Sequence, residues 1–243
     1  MPTIYENIET TLARADEILA ELLQEYDNSL HKKEVTPKAK QLTHDICVQL
    51  RSALDRTARR YWEKYVSPHL SEADNEKADV YFPVASHAAA MDSTLGRWRW
   101  KAVRSNHQPV YDYLRAQQPF SADKNKWLAI VADLAVQGKH IDLVPQRRFE
   151  QQRIVVQGAA GGASWNPANV RFGGGSGSVR IMGAPIDPET QRIIPTQGVT
   201  ERIETWISFV IDAHNVNAAG FCKEACKETR RIVQEMTDHF VLS

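Results

Sequence analysis

Cysteine is scarce in this 243-residue chain, and long apolar runs are missing. The chain has three cysteines, Cys47, Cys222 and Cys226. A small, odd number of cysteines fits a reducing compartment better than a disulfide framework, so we expect a cytoplasmic protein. No apolar run approaches the roughly 18–20 residues that span a bilayer, so we expect no association with a membrane. Residues 1–7 also lack the basic and apolar regions of a secretory signal.

Net charge is absent as well, because 30 Lys and Arg balance 30 Asp and Glu. A neutral protein is not drawn to nucleic acid by its overall field, so binding would need a local patch. The densest basic stretch surrounds Trp98 and Trp100 and comprises Arg97, Arg99, Lys101 and Arg104. Interleaved basic and aromatic residues are typical of surfaces that neutralise phosphate and stack bases. The alternative is a helix end whose arginines lie along structural tryptophans.

Glycine is nearly absent from the first 150 residues, where only Gly96 and Gly138 occur. Nine of the twelve glycines fall between Gly158 and Gly198. This contrast predicts a single domain with a mainly α fold of the α+β class. The domain is expected to have three segments, with boundaries where the composition changes. They are a helical bundle over residues 1–148, a glycine-rich β segment over 149–212, and a C-terminal helix over 213–243 that packs back on the bundle.

Apolar residues at three- and four-residue steps predict the helices. The first covers residues 4–30. The second begins after Thr36, a suitable N-cap followed by proline, and ends near residue 66. Further helices are predicted from Ser86 to residue 95, over 110–116, and from 122 to about 138. We expect the first two to form an antiparallel hairpin within the bundle.

A period of two in residues 201–212 predicts a strand, and residues 153–156 and 179–182 are shorter candidates. Together they indicate a small antiparallel sheet packed on the bundle. Asn217 then caps the C-terminal helix, which we expect to carry a buried apolar face. That face comprises Phe221, Cys222, Ala225, Ile232, Val233 and Met236.

Two motifs suggest a bound ligand but favour simpler interpretations. The stretch from Gly173 to Ser178 has the glycines of a phosphate loop, but a strand-like sequence follows it rather than Gly-Lys-Ser/Thr and a helix. It therefore indicates a mobile hairpin loop, as does 158–162. Cys222 and Cys226 share a helical face, which favours small buried side chains over a zinc site. We expect no metal and no cofactor.

Charged groups lie beside core positions on two predicted helices. Arg51 and Asp55 are four residues apart on the second helix, with Arg56 next to them, and Leu50 and Leu54 flank Arg51 on the buried side. Asp133, Lys139 and His140 lie on or just after a later helix. This arrangement predicts a polar site inside the helical bundle.

Four short motifs resemble a group of bacterial helical proteins that look HEPN-like. They are Gln49–Asp55, Tyr81–Val84, Gln108–Tyr111 and Leu128–Leu143, within about residues 5–145. The resemblance implies a helical bundle, often dimeric, whose active members are metal-independent ribonucleases of toxin–antitoxin and antiviral defence systems. In that family an arginine stabilises phosphate charge, and a histidine that follows after four to six intervening residues on the same helix transfers a proton.

Arg51 matches the family's arginine, but Arg56 occupies the place of the histidine. Arginine stays protonated and cannot act as a base, so His140 from another helix is the candidate for that role. We therefore predict a catalytic site of Arg51, Arg56 and His140, and RNA contacts from the basic stretch. Three hypotheses remain: an RNA-cleaving protein, a degenerate module that binds nucleic acid, nucleotide or a cognate protein without cleaving, and a structural homo-oligomer.

Overall fold

Helices dominate the fold, and a small antiparallel sheet precedes the last helix, which confirms the predicted fold class. The computed structural model describes residues 4–32, 35–137, 146–175 and 178–241. By their contacts the residues form two compact units, one of 1–147 with 209–243 and one of 148–208. Within the described residues, no helix is both long and apolar enough to cross a membrane.

The first unit contains eight α-helices within the part of the chain that the structure describes. They are α1 (Ile4–Lys32), α2 (Pro37–Tyr65), α3 (Glu72–Glu76), α4 (Ala88–Arg97), α5 (Lys101–Asn106), α6 (Gln108–Ala116), α7 (Lys126–Gln137) and α8 (Ala218–Met236). Two 3-10 turns, Ser67–His69 and Asp123–Asn125, and a terminal π-helical turn, Thr237–Val241, accompany them.

Helix α2 is the centre of the bundle, in contact with α1, α7 and α8. It begins as predicted, because the Thr36 hydroxyl accepts a hydrogen bond of 3.1 Å from the Ala39 N–H and Pro37 occupies the first turn. Six large apolar residues on the inner faces of α2 and α7 are all buried. They are Leu50, Leu54 and Trp62 of α2 and Leu128, Val131 and Leu134 of α7.

Several predicted helix boundaries differ from those observed by a few residues. Helix α4 begins at Ala88 rather than after Ser86, because the Nδ1 atom of His87 accepts a hydrogen bond of 3.2 Å from the Ala90 N–H. The helix expected from residue 122 starts as a 3-10 turn, and α7 proper begins at Lys126. Its predicted end near Gly138 lies outside the described residues.

The C-terminal helix agrees with the sequence prediction. The Asn217 side-chain oxygen accepts a hydrogen bond of 2.7 Å from the Gly220 N–H, which caps α8. Every residue assigned to its apolar face is buried. Cys47, Cys222 and Cys226 are free, buried thiols, and burial raises the pKa of Cys226 to about 12. The cysteines therefore serve as small core side chains.

The strands form a four-stranded sheet and a separate two-stranded one. They are β1 (Gln146–Gly158), β2 (Gly161–Trp165), β3 (Arg180–Ile181), β4 (Ala184–Pro185), β5 (Thr200–Ile211) and β6 (Val216–Asn217). The order is β2-β1-β5-β6 in the larger sheet, and β3 pairs with β4. The predicted strand over 201–212 is β5, and 153–156 is part of the longer β1.

The two glycine-rich loops were predicted to be hairpin loops. Gly158 pairs with Gly161 across the β1–β2 turn, which confirms the first one. Gly161 has a φ of 140°, a conformation that side chains rarely adopt. In the second loop, Ser176 and Gly177 lie outside the described residues. The unit of residues 148–208 has its own core, made of Ile154, Val156, Trp165 and Ile186.

Candidate functional site

A cleft of about 690 Å³ lies over one face of α2. Arg51, Asp55 and Arg59 follow one another at four-residue steps, so the helix presents all three on the same side. Arg56 lines the cleft as well, and the opposite walls come from the segment 80–84, Trp98 and the last turns of α7. The structure therefore brings together the charged residues that the sequence selected on the second helix.

Arg51 and Asp55 form a bidentate ion pair that also holds a loop. The Arg51 Nε and Nη2 atoms lie 3.1 and 3.0 Å from the two Asp55 carboxylate oxygens. Nη2 also donates to the Phe82 carbonyl at 2.9 Å, and the Phe82 N–H donates to Asp55 at 2.8 Å. One guanidinium and one carboxylate thus satisfy both backbone groups of a residue whose side chain is fully buried.

The ion pair is largely withdrawn from water, with the Arg51 and Asp55 side chains 19% and 22% exposed. Burial raises the pKa of the Asp55 carboxyl above its ordinary value, while the Arg51 charge and the Phe82 N–H act in the opposite direction. The Nη1 atom of Arg51 is buried and has no hydrogen-bond partner among the described residues. Arg51 therefore lines the cleft while two of its three nitrogens hold Asp55 and Phe82.

Gln118 holds the same loop from inside the bundle. Its side chain is fully buried, accepts a hydrogen bond of 2.9 Å from the Ala85 N–H, and donates at 2.9 Å to the Pro83 carbonyl. Tyr81, at the start of this loop, lines the cleft and is 46% exposed. Its centroid lies 5.5 Å from the Trp98 ring at an angle of 63°. The cleft thus has an aromatic rim on a firmly held backbone.

Arg56 and Arg59 make different contacts. The Arg56 Nη1 atom donates to the Thr11 hydroxyl at 2.6 Å and to the Asn7 carbonyl at 3.1 Å, so this residue joins α2 to α1. Arg59 is 51% exposed and pairs with Glu63 at 2.7 Å on its own helix. Arg56 therefore has a structural role in addition to lining the cleft.

The basic stretch predicted to bind RNA is divided among several environments. Arg99 pairs with Asp74 at 3.2 Å, and Arg104 pairs with Asp92 at 2.8 Å. The side chain of Lys101 lies outside the described part, and Arg97 is exposed. Trp100 is fully buried, as expected of a structural tryptophan, whereas Trp98 lines the cleft. Two of the four basic side chains are thus held by aspartates.

His140 and Lys139 lie outside the described residues. Helix α7, which ends at Gln137, contributes Ala132, Ala135 and Val136 to the cleft wall, and Asp133 is exposed. Val136 is itself 58% exposed, and His140 follows it by four residues in the sequence. The described lining contains no histidine. Likewise, no group of three or more metal-binding side chains occurs among the described residues.

No protein-family model, no curated protein and no solved structure matches this chain. The chemistry of the cleft therefore follows from its own side chains. The sequence did not single out Arg59, Tyr81 or Gln118 as site residues. The signal for Arg59 was its four-residue step from Asp55, and that for Tyr81 was its place at the start of the apolar motif Tyr81–Val84.

Proposed function

We propose that this chain is a HEPN-like protein of a bacterial defence or toxin–antitoxin system that binds single-stranded RNA in the cleft over α2. The observation that carries the proposal is that three arginines and two aromatic rings line one cleft. They are Arg51, Arg56, Arg59, Tyr81 and Trp98. Guanidinium groups bind phosphate, and exposed aromatic rings stack on bases.

Charge and size both support a short segment of a nucleic acid strand as the ligand. Asp55 is the sole acidic residue of the described lining, and its charge is already matched by Arg51. Arg56 and Arg59 add positive charge locally in a chain that is neutral as a whole, and Arg59 also pairs with Glu63 of its own helix. Sites for small ligands occupy roughly 300–1,000 Å³, so a cleft of about 690 Å³ suits one or two nucleotides of a longer strand.

Binding is the central part of this proposal, and cleavage is a second function that depends on His140. Arg56 stays protonated and cannot remove a proton from a ribose hydroxyl. Asp55 is occupied by Arg51 and Phe82. The HEPN resemblance adds the expectation of a homo-oligomer with a cognate protein partner, and the sparse cysteines add that of a cytoplasmic protein.

Binding can be tested by fluorescence anisotropy with a labelled single-stranded RNA of roughly a dozen nucleotides over a range of salt concentrations. Arg59→Gln should weaken binding about tenfold, because one charge-assisted hydrogen bond to phosphate is lost. It should also reduce the slope of log K against log salt by about 0.7, the share of one phosphate on a single strand. Tyr81→Ala should weaken binding by about 1–3 kcal/mol if a base stacks there.

Each variant has a matched control on another surface. Arg14 is 51% exposed, like Arg59, and pairs with Glu17 of its own helix at 2.9 Å, yet it does not line the cleft. Phe149 is 42% exposed and lies in the other unit. Arg14→Gln and Phe149→Ala should leave RNA affinity unchanged. Equal losses from the cleft and control variants would contradict the proposal, as would a wild-type protein that retains no RNA at low salt.

Cleavage is tested on the same RNA by gel electrophoresis. If the wild-type protein shortens the RNA, His140→Gln should abolish cleavage while binding persists, and EDTA should have no effect, as the resemblance implies. Intact RNA after incubation with a wild-type protein that binds it would favour the degenerate, non-cleaving module. If the wild-type protein binds a mononucleotide or a protein partner but no RNA, the result would instead favour a module that binds nucleotide or protein.

A further inference from the structure

Strand β1 has 13 residues and its partner β2 has five, and this difference leaves a free edge. The antiparallel pairing of the two strands ends at Ile154 and Trp165. Strand β5 is the other neighbour of β1, but on the side of β2 no described strand pairs with residues 146–153. The five consecutive residues 149–153 are all exposed. An unpaired edge of this kind is a template for another strand.

The region beside this edge contains a pocket. The chain leaves the sheet after Trp165 and forms a turn over residues 166–169. This turn and residues 149–152 line a pocket of about 280 Å³. Phe149 is part of the lining and is 42% exposed, so contact with another molecule would remove a large apolar side chain from water.

The β1–β2 hairpin shows which backbone groups point to the free edge. A two-residue turn joins Gly158 to Gly161, so these two residues exchange backbone hydrogen bonds. Such positions alternate along an antiparallel strand, so every second residue of β1, including Arg148 and Glu150, directs its N–H and C=O toward this side. Phe149, between them, directs its backbone groups toward β5. An added strand must therefore place residues of the same type opposite each other.

A second copy of the same edge is a partner whose charges fit. Two identical antiparallel strands are related by a two-fold axis, which in this case passes between one residue and its own copy. With the axis at Phe149, Arg148 of each copy lies opposite Glu150 of the other. An axis at Arg148 or at Glu150 opposes like charges, and an axis at Gln151 pairs Glu150 with an amide. The charges therefore select the axis at Phe149.

We propose that the free edge of β1 forms a homodimer by pairing antiparallel with the same edge of a second copy, about a two-fold axis at Phe149. Arg148 and Glu150 already form an ion pair of 2.7 Å within one copy, so four charges of alternating sign meet in the dimer. The two Phe149 side chains pack together, because opposite residues that share no hydrogen bond approach most closely. The inference does not rest on RNA binding, since Arg148, Phe149 and Glu150 do not line the arginine cleft.

Self-association is measured by analytical ultracentrifugation. We expect a reversible dimer with a Kd of roughly 1–100 μM, because a short strand edge buries less area than a standard interface. Glu150→Arg and Arg148→Glu should each weaken the dimer at least about tenfold, since each opposes like charges. An equimolar mixture of these two variants should form a heterodimer of nearly wild-type affinity, because each substituted side chain then meets an opposite charge.

Arg202 and Glu204 of β5 provide the matched control. They are also two residues apart on a strand and form an ion pair of 2.6 Å. Glu201 beside them accepts hydrogen bonds from the Arg192 side chain and from the Ile193 N–H, so another segment of the chain already contacts this part of β5. Glu204→Arg should therefore leave the Kd of the dimer unchanged.

A disulfide tests the register directly. Phe149→Cys puts two thiols opposite each other with Cα atoms about 4.5 Å apart, within the range of a disulfide, so oxidation with diamide should give a covalent dimer. Gln151→Cys lies on the same face, but its two copies would be roughly 13 Å apart along the strands and should not join. The native cysteines are buried and do not compete.

Four results would overturn the proposal. The first is a wild-type protein that remains monomeric at several hundred micromolar. The second is a mixture of Glu150→Arg and Arg148→Glu that associates no more tightly than either variant alone. The third is a loss of affinity in Glu204→Arg equal to that in Glu150→Arg. The fourth is a Gln151→Cys variant that forms the covalent dimer as readily as Phe149→Cys does.

Discussion

At the scale of single residues, Asp55 combines two opposing effects. Its carboxylate pairs with Arg51 and accepts the Phe82 N–H, and both contacts favour the charged form. Removal from water disfavours that form and is the larger effect, so the pKa of Asp55 is raised. The native state therefore holds the Asp55 proton more tightly than the unfolded chain does.

The pH dependence of stability follows from this direction. The Asp55 contribution is fully present below the unfolded pKa of about 3.9 and is lost as the pH rises through the higher native value. We expect the free energy of unfolding of the wild type, minus that of Asp55→Asn, to decrease between about pH 3 and about pH 7. Urea unfolding at a series of pH values measures this difference.

Asp123 provides the control of opposite sign. It is exposed, and its contact with Lys126 lowers its pKa. The corresponding difference for Asp123→Asn should therefore increase as the pH rises from below its native pKa through the unfolded value. If the Asp55 difference rises with pH as well, the ion pair with Arg51 outweighs burial and the inferred direction is wrong.

The sequence predicted the pairing of Arg51 with Asp55 but not the contacts of this pair with Phe82. Helical periodicity placed Arg51 beside Asp55, because residues four apart share a face. The contacts with Phe82 were not predictable, since they join positions 27 and 31 residues apart through a loop of irregular backbone. Gln118 escaped notice for the same reason, because its partners lie 33 and 35 residues away.

At the scale of elements, the α1–α2 hairpin depends on Thr36. Its hydroxyl accepts from the Ala39 N–H and donates to the Glu25 carboxylate at 2.6 Å, so one side chain caps α2 and contacts α1. Thr36→Ala should lower the free energy of unfolding by about 1–2 kcal/mol, the upper range for an N-cap. Urea unfolding with a constant m-value would measure this loss.

Two variants define the origin of that loss. Thr36→Ser retains the hydroxyl and should recover most of the stability. Ser71 makes the same type of cap on α3, at 3.2 Å, but α3 has five residues and no buried ones. Ser71→Ala should therefore cost much less than Thr36→Ala. Equal losses of unfolding free energy for Thr36→Ala and Ser71→Ala would mean that the buried position of α2 does not make its N-cap more important.

Helix length explains which elements the sequence could reveal. Helices α1 and α2 have 29 residues each, so their apolar periodicity repeats many times and their extent was predicted closely. Helices α3 and α5 have five and six residues, too few for a periodic pattern, and neither was predicted. Their order depends on the segments around them rather than on a buried stripe of their own.

At the scale of the whole molecule, two separate cores stabilise the chain. Leu54 is fully buried in the unit that contains α2, and Ile154 is 3% exposed in the core of residues 148–208. Structural units with their own cores can open separately, and hydrogen exchange detects such opening. Each core should therefore have its own free energy of opening.

Paired truncations test this independence. Ile154→Ala and Leu54→Ala each remove comparable buried volume, and each should cost about 2–5 kcal/mol in the unit that contains it. Hydrogen exchange followed by mass spectrometry should show faster exchange in β1 and β2 for Ile154→Ala, with α2 and α8 unchanged. Leu54→Ala should accelerate exchange in α2 and α8, because α2 packs on α8, and leave residues 148–208 unchanged. Faster exchange across the whole chain in both variants would mean that the two units unfold as one.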